Sequence, residues 1–77
     1  MGQLGTDQKV RDWASQNGGW VNVREEKVLG SNKLFYRANL EHVEPSGLSR
    51  LAAYGLTPQA TRGALWDLLV KLGFAGE

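Results

Sequence analysis

A chain of 77 residues with a formal net charge of +1 has room for one small domain and a single core. The absence of cysteine excludes disulfides and thiolate metal centres. The near-neutral charge excludes a strongly basic nucleic-acid scavenger and an acidic nucleic-acid mimic alike.

No apolar run approaches the length of a membrane span and no signal peptide is visible, so a cytoplasmic protein is expected. Residues 1–5 are expected to fray. They nevertheless match the acylation pattern M-G-x-x-x-[ST], with Gly2 as the acceptor and Thr6 in the last slot. A single acyl chain holds a membrane only with a second signal, and no basic cluster lies beside Gly2. An acylated, matrix-like membrane-binding domain is therefore the last-ranked reading. Thr6 then suits an N-cap and Asp7 the first turn, where a negative charge favours the helix dipole. Val10, Trp13 and Ala14 share a face, and Asn17-Gly18-Gly19 interrupts it, which predicts a helix over 7–16.

Residues 20–43 admit two readings. Trp20-Val21-Asn22-Val23 and the stretch 33–40 alternate as strands do, with Leu34, Tyr36, Ala38 and Leu40 on one side and Gly30-Ser31-Asn32-Lys33 as a turn between them. Alternatively, 24–29 is a short helix closed by Gly30, and Leu34, Phe35, Ala38 and His42 form a second amphipathic face. The clustering of Trp, Val, Phe and Tyr favours the hairpin. Residues 42–45 read as a connector.

Residues 46–74 carry seven leucines and read as two helices joined by a tight turn. Ser46 caps the first, with Leu48, Leu51 and Ala52 on one face and Gly55 as its stop. Thr57-Pro58 caps and opens the second, which carries Leu65, Leu68, Leu69 and Leu72 on one stripe and ends at Gly73. The expected fold is α+β over a single domain, 1–77: an N-terminal helix, a β-hairpin and two C-terminal helices, with an all-α arrangement as the alternative. The core is expected from Leu48, Leu51, Leu65, Leu68, Leu69 and Leu72 packed on Trp13, Tyr36 and Leu40.

The order Leu-x-x-Leu-Ala-x-x-Gly-Leu-Thr-Pro-x-Ala over 48–60, continued to residue 72, resembles the helix-turn-helix unit of bacterial and phage DNA-binding domains. The resemblance implies a regulatory nucleic-acid binder that presents the start of its last helix to DNA. Thr57, Gln59, Thr61 and Arg62 would then face the bases, with Arg50 and Lys71 on the backbone. A competing reading is a protein–protein interaction module, an inhibitor or adaptor working through exposed aromatics among Trp20, Trp66 and Phe74. Catalysis is not expected. His42 is the lone histidine, and no nucleophile elbow, P-loop or dinucleotide fingerprint is present. No cofactor, metal or small-molecule substrate is implied.

Overall fold

A computed structural model describes residues 6–76. The chain runs α1 (Thr6–Gln16), β1 (Trp20–Lys27), β2 (Leu34–Glu44), β3 (Gly47–Gly55) and α2 (Pro58–Lys71). The strands form one antiparallel sheet in the order β1-β2-β3, and the helices pack on each other and on the sheet. The acylation pattern at Gly2 and the side chain of Thr6, the expected cap of α1, lie outside the described residues.

Each helix stops by the same device. Gly18 takes φ +71°, so its N–H bonds back to the Ser15 carbonyl and that of Gly19 to the Ala14 carbonyl. Gly73 takes φ +85°, with its own N–H on the Val70 carbonyl and the N–H of Phe74 on that of Leu69. Both pairs satisfy carbonyls that a helix end would otherwise orphan. At the start of α2 the Thr57 hydroxyl accepts from Ala60 N–H at 3.0 Å, and Pro58 opens the helix. Its first turn seats directly on the end of β3. A Cβ on Gly55 would come 2.9 Å from the Thr61 backbone nitrogen, closer than side chains pack.

Alternation along the strands separates two faces. Val21 and Val23 of β1, Ala38, Leu40 and His42 of β2, and Leu51 and Ala53 of β3 face the helices. There they meet Val10 and Ala14 of α1 and Leu65 and Leu69 of α2. His42 is 2% exposed, edge-on to Trp13 and Phe74 with ring centroids 5.0 and 4.9 Å away. It is thus part of a strand and of the interior, not of a connector.

The C-terminal third differs from expectation. Residues 47–55 form a strand paired along its whole length with β2, so the paired-helix unit over 46–74 does not exist. The hairpin over 20–43 is present and continues into this third strand, which gives α1-β1-β2-β3-α2 rather than helix, hairpin and two helices. The cause lies in Glu44-Pro45-Ser46-Gly47. Proline at the second position and glycine at the fourth suit a β-turn, and Gly47 adopts φ +132°. The turn reverses the chain with Glu44 opposite Gly47 and puts the following residues in register with β2. Once there, their backbone groups pair with a central strand, and that tertiary pairing outweighs the helix propensity of Leu, Ala and Arg. The expected core shifts accordingly. Leu40, Leu65 and Leu69 are buried, Leu51 and Leu68 are partly so, and Leu48 and Leu72 are more than half exposed.

Candidate functional site

Both helices cover one face of the sheet. The opposite face is open, and its side chains fall into rows across the three strands. One row is Trp20–Glu41–Arg50, the next Asn22–Asn39–Ala52, and the third Arg24–Arg37–Tyr54. The middle row is short-chained and the flanking rows are long, so the face is hollowed across the strands into an open trench of about 470 Å³. Trp20, Arg24, Arg37 and Arg50 stand along its walls, with Asn22, Asn39 and Ala52 on its floor. The outer rows lie four residues apart along the strands, about 13 Å at strand rise, and the sheet is about 10 Å across its three strands.

The chemistry of this face is specific. Trp20 is 50% exposed and Tyr54 55%, at diagonally opposite corners of this three-row face, with Trp20 on the trench wall and Tyr54 beside Arg37. Three arginines face two glutamates, which leaves a net positive surface. Arg50 Nε holds Glu41 at 2.8 Å, whereas the contact of Arg37 Nη1 with Glu26 is long, 3.9 Å. The Arg37 guanidinium also lies 5.8 Å from the centre of the Tyr54 ring, which in turn leans on Phe35 at 6.0 Å. Arg24 has no acidic partner among the described residues, and neither amide of Asn22 and Asn39 has a hydrogen-bond partner there. The face therefore offers two aromatic surfaces for stacking, cationic donors for anions, and paired amides that both donate and accept.

The residues expected to meet DNA do not form one surface. Thr57 is occupied as the cap of α2. Thr61 is buried and donates its hydroxyl to the Thr57 carbonyl at 2.6 Å. Gln59 is exposed at the start of α2 and Lys71 at its end. Arg50 lies on the other side of the sheet, in β3. Arg62 is only 15% exposed and reaches across to α1, with Nη1 2.8 Å from Asp7 Oδ1. That oxygen is buried, and no N–H points along the line to it, so the pair is an ion contact without a well-directed hydrogen bond. Arg62 thus serves as a tie between helices. Arg62→Ala is expected to lower stability by about 1–3 kcal/mol, because it strands a partly buried carboxylate. Urea unfolding checks this, and a change within 0.5 kcal/mol would show that the tie contributes nothing.

The aromatics singled out from the sequence also divide. Trp66 is half-buried with Lys9 Nζ 5.8 Å from its ring centre, and Phe74 closes over Trp13 and His42. Only Trp20 stands on the open sheet. Asn22, Arg24, Arg37 and Asn39 were not anticipated as site residues. The signal for the first strand was legible: Trp20, Asn22 and Arg24 alternate with Val21 and Val23, so burying the valines must expose the other three together.

Among the described residues no group of three or more His, Asp or Glu side chains is placed to hold a metal ion, and no helix is long and apolar enough to cross a membrane. No protein-family model, no curated protein and no solved structure matches the chain.

Proposed function

We propose that this domain binds single-stranded nucleic acid on the open face of its sheet. The observation that carries the reading is the placement of exposed Trp20 and Tyr54 with Arg24, Arg37 and Arg50 on one sheet face, beside an Asn22–Asn39 floor whose amides are unpaired among the described residues. Single strands present unstacked bases that lie on aromatic side chains, and their phosphates take arginine. Amides supply the hydrogen bonds that a base edge needs. A duplex hides its bases from an open sheet face, so single strands are the better fit. The small net charge of the face is compatible with this mode, because stacking supplies much of the affinity and few phosphates need be neutralised.

The test is titration of Trp fluorescence with short single-stranded RNA and DNA, with duplexes of the same sequence as competitors. Single strands are expected to perturb the fluorescence and to compete better than duplexes. Trp20→Ala is expected to weaken binding about tenfold or more, the effect of losing one stacked base. The salt dependence should be shallow, with a slope of log K on log salt no steeper than about −2, the limit set by one phosphate per arginine. Tight duplex binding unaffected by Trp20→Ala would move the site off the sheet and defeat the proposal.

A protein partner is the second reading. It is favoured by Val43 and Leu48, which are cross-strand partners, each more than half exposed, next to the Trp20 row. Apolar residues at the end of a sheet face suit a hydrophobic interface. Binding of a protein there would vary little with salt and would be weakened by Leu48→Ser, whereas strand binding would tolerate that change.

A further inference from the structure

Arg24 and Arg37 are direct cross-strand partners in the β1–β2 ladder. Like charges in that relation destabilise a sheet. Glu26 gives Arg37 only the long contact of 3.9 Å, and Arg24, two residues from Glu26 along the same strand face, makes no ion pair among the described residues. A second observation points the same way. The Nε of Arg37 is buried and has no hydrogen-bond acceptor. A guanidinium N–H removed from water without an acceptor is costly, and such an orphan calls for an ion or a water to satisfy it. Two facing cations, with one donor of the pair unsatisfied, break the local rules of sheet design, and such breaks concentrate at functional sites.

From this we infer that Arg24 and Arg37 form one phosphate clamp, which takes a single phosphate group between their guanidinium groups. Each guanidinium is a planar fork of donors that matches phosphate oxygens, and the bound anion cancels the repulsion that the empty pair endures. The inference deepens the sheet-face reading and rests on it for the source of the phosphate, a nucleic-acid backbone. The amides of Asn22 and Asn39 lie two residues along the same strands, about 7 Å from the arginines. That is the reach of one nucleotide from its phosphate to the edge of its base. The clamp therefore sets the register: phosphate on the arginine row, base over the amide row and against Trp20.

Thermal unfolding of the wild type and of Arg24→Gln, in low-salt buffer with sodium phosphate or sodium chloride at matched ionic strength, provides the test. Without phosphate, Arg24→Gln is expected to melt higher than the wild type, because the like-charge pair is gone. Added phosphate is expected to raise the wild-type midpoint progressively, as a ligand specific to the native state must, and to leave Arg24→Gln unmoved. A purely structural arginine would give the opposite first result. Equal responses of the two proteins to phosphate, or no response of the wild type, would overturn the clamp.

Binding of a single-stranded oligonucleotide and of an abasic strand of equal length separates this inference from the reading beneath it. Arg24→Gln is expected to weaken both about tenfold and to flatten the salt slope by about 0.7, one phosphate's share. If oligonucleotides bind and Arg24→Gln binds them equally well, the sheet-face reading stands and the clamp falls. If inorganic phosphate acts through Arg24 while no strand binds, the clamp stands and its phosphate comes from a free phosphorylated ligand.

Discussion

Gly19→Ala is expected to destabilise the domain by about 3 kcal/mol or more. Gly19 follows the stop of α1 and immediately precedes Trp20, the first residue of β1, which pairs with Glu41; its N–H bonds to the Ala14 carbonyl at 2.8 Å. A Cβ there would overlap the carbonyl oxygen of Glu41 and lie 2.8 Å from the His42 Cα. Both obstacles are backbone in the central strand, and neither can turn aside as a side chain would. The clash must be relieved by parting β1 from β2, or by lifting α1 from the sheet and losing the contact of Trp13 with His42. A domain of this size has about 4–12 kcal/mol in total, so the change approaches complete unfolding. Gly18→Ala is the control. Gly18 needs glycine for its positive φ, and its added Cβ meets only the Val43 side chain, at 3.3 Å. Its expected cost is about 1–2 kcal/mol. Urea midpoints at constant slope compare the two. Equal losses would mean that the α1–β1 junction is looser than the packing implies.

The contrast between these adjacent glycines also shows what a sequence can and cannot convey. Asn17-Gly18-Gly19 marks the end of a helix in any context, and α1 ends there. Thr57-Pro58 and Gly73 likewise bound α2, because caps and stops act through backbone groups within a few residues. The close approach of Gly19 to Glu41 depends on a pairing 22 residues away and has no local signature. The same limit explains β3. In Gly47–Gly55, leucine and alanine occur on both faces: Leu51 and Ala53 point to the helices, Leu48 and Ala52 away. No clean alternation survives, whereas Leu48, Leu51 and Ala52 happen to match a helical period. Pro45-Ser46 suits the helix cap read there, and serine after proline serves a β-turn as readily. A helix over 47–55 would leave the sheet without a third strand, and the arginine and asparagine rows without a face on which to meet. The helix-turn-helix resemblance sets Arg50 on a DNA backbone, yet its actual neighbour Glu41 follows only from the β2–β3 register.

Leu69→Ala is expected to cost about 2–5 kcal/mol, as full truncation in a close-packed interior does, while Leu72→Ala should stay within about 0.5 kcal/mol. Both residues lie on the leucine stripe of α2, and periodicity ranks them alike. Depth separates them. Leu69 is completely buried in the cluster with Val10, Ala14, Leu40 and Leu65. Leu72 is the cap residue one position beyond the helix, and half of its surface meets solvent. Period gives the direction in which a side chain points, whereas burial requires another element beneath it. The buried line of α2 runs instead through Thr61, Leu65 and Leu69, and Thr61 is admitted because its hydroxyl is satisfied by the Thr57 carbonyl. Leu68, only partly buried, should fall between the two leucines. Chemical denaturation of the three alanine variants measures the gradient. Comparable losses at residues 69 and 72 would place the end of α2 deeper in the core than its exposure allows. They would also weaken the assignment of the opposite sheet face as the open one, since that assignment depends on both helices covering the same side.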